Sequence, residues 1–190
     1  MEFSVLKTKI SVSPLFFAVL TAFLLIDRSG IANQVVLFSA LHEAFHFLAL
    51  LCLKTAPKKI ELSVFGIRLF LNNNMSTIKK CMVLMAGFTV NFVLALLFFI
   101  YGKNMPALIN LFIGILTSLP LESTDGGSII SALFEEFPSK KGEKIFGIIK
   151  SFFIFVFSFF LVFIIFTAKN YFLIIPLIYM FITAKKNAAL

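Results

Sequence analysis

Residues 31 to 53 read Ile31-Ala32-Asn33-Gln34-Val35-Val36-Leu37-Phe38-Ser39-Ala40-Leu41-His42-Glu43-Ala44-Phe45-His46-Phe47-Leu48-Ala49-Leu50-Leu51-Cys52-Leu53. As a helix this stretch is long enough to cross about 30 Å of hydrocarbon. Its ionisable side chains, His42, Glu43 and His46, fall about a dozen residues inside it. Ionisable groups at that depth cost roughly 3 kcal/mol each unless paired or bound to a metal, so they mark function by default. His42 and His46 lie one turn apart on one face of the helix. Their imidazoles can share one zinc ion, and Glu43 beside them can take a proton from water at the metal. Zinc lowers the pKa of such a water to about 7, which makes a nucleophile available at neutral pH. These two histidines are the only ones in the chain.

The rest of the chain agrees with a lipid environment. Of its 190 residues, 60% are hydrophobic, 14% are charged and 27 are Phe. A water-soluble domain of this size cannot hide that much apolar surface. The net charge of +8 does not point to nucleic acid, because the Lys and Arg residues sit in short loops between apolar runs. Loop cations of this kind orient spans and meet anionic lipid. Cys52 and Cys81 show no CxxC spacing and do not read as a metal or disulfide pair. The first apolar run lacks a small-residue cleavage site and reads as a retained span.

Six spans are expected, at about 14–26, 31–53, 78–101, 105–119, 145–168 and 171–184. The first span has room to begin earlier, at Ile10 or Val12. The fold class is an all-α polytopic membrane protein, read as one domain over residues 1–190. Between spans two and three the texture changes. Lys58 to Phe70 partly alternates and is rich in β-branched and aromatic residues, with Gly66 available for a bend. This segment predicts a short β-hairpin at the membrane surface. Asn72-Asn73-Asn74 ends it, and Ser76 or Thr77 can cap the next helix. With both termini in the cytoplasm, the outside loops hold only Arg28, Lys103 and Lys169 of the 17 Lys and Arg residues. That bias supports the six-span, multi-pass arrangement.

Two histidines leave a catalytic zinc short of a third protein ligand. The candidates are Glu61 in the expected hairpin, Glu122 and Asp125 after the fourth span, and Glu135, Glu136 and Glu143 in a mixed-charge, loop-like region. Asp125 is favoured and Glu122 is its rival, because Gly126-Gly127 lets backbone approach a metal or substrate closely. The alternative for Asp125 is a helix cap ahead of Ser128-Ile129. Spans two and four both run from outside to inside, so His42, His46 and Asp125 meet at similar depth.

At this point the sequence resembles the site-2 proteases, a family of intramembrane zinc metalloproteases. HExxH lies in a span. Ala86-Gly87-Phe88-Thr89-Val90-Asn91 is similar to the family's Ala-Gly-Pro-x-x-Asn segment. Leu119-Pro120-Leu121-Glu122-Ser123-Thr124-Asp125-Gly126-Gly127 is similar to its Leu-Pro-x-x-Pro-x-Asp-Gly-Gly segment. The six-span layout looks most like the sporulation-type branch, as does the opening Lys9-Ile10-Ser11-Val12-Ser13-Pro14. Phe45, Phe88, Thr117 and Ser123 stand where the family usually has Gly, Pro, Asn and Pro.

The resemblance implies hydrolysis of a peptide bond in or near a transmembrane segment. His42, His46 and Asp125 would hold one Zn2+ per chain, with Glu43 as general base and acid. Asn91 would contact substrate backbone or act as interhelical glue. Gly87 and the strand residues Val64, Phe65 and Gly66 would line the substrate path, the strands holding an unwound segment by edge pairing. The implied partners are a membrane-tethered protein substrate, such as a transcription-factor precursor or an anti-sigma factor, the lipid bilayer and a regulatory membrane partner. The implied setting is the bacterial cell membrane. Two rival functions use the same residues, a zinc or proton transporter and a catalytically inactive membrane scaffold. Against the first, no inverted repeat is visible.

Overall fold

The computed structural model describes residues 2–5, 8–63, 66–72, 75–121, 124–136 and 140–168. The chain falls into two compact units, Met1–Glu136 and Phe137–Leu190. The described part of the second unit is one helix, Lys140–Ala168 (α6). The expected sixth span, 171–184, lies outside the described residues, as does the turn at Asn73-Asn74.

In the first unit the apolar runs are helical: Pro14–Ile26 (α1), Ile31–Cys52 (α2), Thr77–Ile100 (α3) and Asn104–Ser118 (α4). Pro14 occupies the first turn of α1, where its missing N–H costs nothing. Asp27 sets the start of α2. Its carboxylate accepts the backbone N–H of Ser29 at 2.9 Å and that of Ala32 at 2.8 Å, and Gly30 supplies the positive φ of 76° that turns the chain into the helix. Ser76 is the residue before α3, as its sequence position suggested, but its hydroxyl makes no capping bond. The 22 residues of α2 and 24 of α3 are long and apolar enough to cross a membrane, whereas α1 and α4 are shorter apolar helices.

The expected hairpin is present as strands Lys59–Ser63 and Gly66–Phe70, but the sheet is larger than expected. An N-terminal hairpin, Glu2–Val5 (β1) and Thr8–Val12 (β2), joins it, and the strands of the later hairpin are β3 and β4. The order is β1-β2-β3-β4. β2 runs parallel to β3, with Lys9 opposite Lys59 and Val12 opposite Leu62. The first helix therefore does not begin at Ile10 or Val12. Those residues are drawn into the ladder by partners 50 positions on, and Ser13 closes it by donating its N–H to Leu62 at 2.9 Å. The region from Asp125 onward is also not loop-like. Asp125–Glu136 forms helix α5.

α3 packs against α2, α4 and α5 and is the centre of the unit. Its buried positions are Val83, Gly87, Val90, Asn91 and Ala95. These are mostly small, which lets helix axes approach where lipid supplies no hydrophobic drive between them. The outer surface is the reverse, with large apolar residues such as Leu25, Leu51, Ile78 and Phe99 more than two-thirds exposed. No buried residue occurs in α1. A surface of this kind belongs to a membrane protein.

Candidate metal centre

α2 presents His42 and His46 toward α3, and both are buried. Their rings meet edge to face, with Nε2 atoms 3.1 Å apart. Asp125, in the first turn of α5, brings its Oδ2 to 3.0 Å from His42 Nε2 and 3.2 Å from His46 Nε2. The three atoms form a nearly equilateral triangle. A metal held at about 2.0–2.1 Å in a tetrahedral shell spaces its ligand atoms by about 3.3 Å, so the triangle fits one.

The donor set supports the same conclusion. His46 Nδ1 lies 2.7 Å from the carbonyl oxygen of Val83. A carbonyl only accepts, so Nδ1 donates, and in the neutral ring that a metal ligand requires Nε2 carries a lone pair. That lone pair faces Asp125 Oδ2, which is buried and accepts no hydrogen bond among the described residues. Lone pair against carboxylate at this distance is repulsive unless a cation, a proton or a metal ion, lies between them. Among the described residues, His42, His46 and Asp125 are the group whose ligand atoms converge in this way.

The surroundings explain why these side chains sit where they do. Gly87 of α3 lies against both imidazoles. A Cβ there would overlap the His46 ring and stand 2.7 Å from Cε1 of His42. On the other side, Thr124 caps α5: its Oγ1 accepts the N–H of Gly127 at 3.3 Å and donates to the carbonyl of Leu121 at 2.7 Å. Thr124 therefore takes the capping duty considered for Asp125, and the aspartate carboxylate is left for the histidines. Gly126 is buried against the end of α4, where a Cβ would run into the backbone carbonyl of Ser118. The close approach that Gly126 permits is thus between two backbone segments.

His42 Nδ1 lies 2.7 Å from Asn91 Oδ1 on α3. Asn91 Nδ2 donates to Asn110 Oδ1 on α4 at 3.1 Å, and Asn110 Nδ2 donates to the Pro106 carbonyl at 2.9 Å. Both asparagines are fully buried, so Asn91 faces a ligand and a neighbouring helix here. Glu43 is half-buried and lies within electrostatic range of both histidines and Asp125.

The other acidic candidates lie elsewhere. Glu61 is in β3 and pairs with Lys59 at 2.8 Å, and Glu135 pairs with Lys80 at 3.6 Å on the surface. Glu136 is exposed. Gly66 begins β4, while Glu122, Val64, Phe65 and the side chain of Glu143 lie outside the described residues. Sequence reading missed Asn110, the Val83 carbonyl and the Thr124 cap. Asn110 left a signal, an uncompensated amide in the apolar run of α4, which is a functional flag in lipid. The Val83 carbonyl left none, because every residue has one.

The comparisons with known proteins bear on the fold. The structure is similar to that of the Site-2 Protease from Methanocaldococcus jannaschii, with a TM-score of 0.63 and 18% sequence identity, over 98% of this chain and 94% of that one. The chain has that fold. No protein-family model matches the sequence, and no curated protein matches it.

Proposed function

We propose that this chain is an intramembrane zinc metalloprotease of the site-2 protease family. It would hydrolyse a peptide bond in or near a transmembrane segment of a membrane-tethered protein. The observation that carries the proposal is the convergence of His42 Nε2, His46 Nε2 and Asp125 Oδ2 at 3.0–3.2 Å inside an apolar helical unit. His42, His46 and Asp125 would hold one zinc ion. When bound, zinc supplies a Lewis acid that polarises the scissile carbonyl and acidifies water.

The chain's own groups do the rest. Glu43 follows His42 directly, takes the proton of the attacking water and passes it to the leaving amine. Gly87 keeps the space in front of the rings clear. The apolar walls limit water to what the reaction uses. Val64, Phe65 and Gly66 would hold the unwound substrate segment by strand pairing. The reading extends to six spans with both termini cytoplasmic, to the bacterial cell membrane and to the sporulation-type branch, all supported by loop charge and motif spacing in the sequence. A regulatory membrane partner is part of the same reading.

The test is the zinc content of the detergent-purified protein, alongside cleavage of a membrane-spanning reporter. Near one zinc per chain in wild type and Glu43→Gln, loss in Asp125→Ala, and no cleavage by either variant is the expected pattern. Absence of zinc from well-folded, metal-replete wild type would overturn the proposal.

A further inference from the structure

We propose that Asn110 on α4 is a positioning residue that acts through Asn91 to hold the proton of His42 on Nδ1, leaving Nε2 as the lone pair that faces Asp125. Its use to the enzyme rests on the metalloprotease reading of the site, but its geometry does not.

An amide can present either its oxygen or its NH2 group, and an imidazole either tautomer. Here the ambiguity is removed one link at a time, starting from the far end. The Pro106 carbonyl can only accept, so the group 2.9 Å away on Asn110 is its NH2. Asn110 Oδ1 then faces Asn91, so the group meeting it at 3.1 Å is the Asn91 NH2. Asn91 Oδ1 is left facing His42 Nδ1 at 2.7 Å. An oxygen there needs a donor, so Nδ1 carries a proton, and in the neutral ring Nε2 does not.

Reversing the relay has no satisfied end. Turning Asn91 alone sets its Oδ1 against Asn110 Oδ1. Turning both sets Asn110 Oδ1 against the Pro106 carbonyl. Both side chains are 0% exposed, so no water replaces the missing donor, and a buried unpaired acceptor is costly. α4 thus reaches His42 through two amides and decides which nitrogen is free. The equivalent control on His46 is simpler, a single bond to the Val83 carbonyl. Partners that orient ligating histidines in this way typically change metal affinity by 10–100-fold when lost.

The experiment uses the full chain in detergent, labelled with 15N-histidine, first without metal at a pH where both rings are neutral. With two histidines in the sequence, the ring nitrogens are readily assigned. Both rings in wild type are expected to be Nδ1-protonated. In Asn110→Leu, Asn91 is free to turn, so His42 gains Nε2-protonated character while His46 keeps its tautomer as an internal control. Zinc affinity, read by chelator competition, falls by about 10–100-fold. Adding Asn91→Asp to Asn110→Leu restores the His42 tautomer and most of the affinity, because a carboxylate has no NH2 to present. A packing role alone predicts the opposite, since the double variant buries a charge.

An Nε2-protonated His42 in wild type overturns the proposal. So does an Asn110→Leu variant with unchanged tautomer and affinity, or a double variant no better than Asn110→Leu. Should Asn110→Leu not fold, the wild-type spectrum decides alone. Should wild type bind no zinc, the metalloprotease reading fails, while the metal-free spectrum still decides this one.

Discussion

The seam among α2, α3, α4 and the start of α5 and the outer surface of the same helices are built to opposite rules. The seam holds two histidines, two fully buried asparagines and buried glycines at 87, 126 and 127. The outer surface holds Phe, Leu, Ile and Met. In water the arrangement would be inside out. It teaches that close approach and hydrogen bonding hold this unit together, since lipid is as apolar as any leucine core and burying leucine against leucine gains little. A small apolar cluster of Leu50, Met75 and Val83 lies at the ends of α2 and α3, near the sheet. The seam itself is packed around polar groups. If the contrast holds, substitutions that add one or a few carbons to the seam should do far more damage than removing several from the outer surface.

Gly87→Val is expected to have the largest effect. Its Cβ alone overlaps the His46 ring, and that ring is held from behind by the Val83 carbonyl. Either the ring leaves the triangle or α2 and α3 separate. Zinc affinity should fall by on the order of 100-fold or more, the upper end for disturbing groups that support a metal ligand. Chelator competition checks it. Stoichiometric zinc at wild-type affinity would break the comparison, because it would mean the seam is loose.

Gly126→Ala comes second. The obstacle here is the backbone carbonyl of Ser118, which cannot rotate away as a side chain can. The first turn of α5 has to shift and takes Asp125 with it. Overpacking of this kind costs about 3 kcal/mol at the upper end of its usual range. A lower melting temperature in detergent, accompanied by weaker zinc binding, is the expected result. A fall in stability with zinc binding untouched would show that Asp125 is positioned independently of the α4–α5 contact.

What was readable in the sequence divides along the same line. Helix positions, though not the crossing of a membrane, followed from the apolar runs and the polar breaks between them. Pro14–Ile26 matches the expected 14–26, and α2 to α4 begin and end within one residue of their expected bounds. The pairing of His42 and His46 was legible from helical spacing; Asp125 was favoured for its glycine pair, of which Gly126 instead serves the backbone contact with the end of α4. What was not legible depends on partners distant in the chain. β1 and β2 are short and mixed in composition, and β2 becomes a strand by pairing with residues 59–62. α5 was hidden because two glycines argue against a helix. The structure resolves the conflict with the Thr124 cap and the tight contact at Ser118, both of which are tertiary features. The Asn91–Asn110 link, 19 residues apart across two helices, has no periodic signature.

Leu96→Ala is expected to have the smallest effect, and it tests the other side of the comparison. Leu96 sits on α3 one residue after buried Ala95, yet is 61% exposed. The change removes three carbons, where Gly126→Ala adds one. In a water-soluble core a leucine-to-alanine change costs about 2–5 kcal/mol. In a bilayer a side chain this exposed would meet acyl chains, and acyl chains would close over the space it leaves. Alanine also has the better helix propensity. The melting temperature should stay near that of wild type, corresponding to within about 0.5 kcal/mol, and zinc binding should not change. A loss comparable to that of Gly126→Ala would mean that Leu96 is covered by protein rather than lipid. The outer face of α3 would then be a helix interface, and the contrast between seam and surface would apply only to the α2 side of α3.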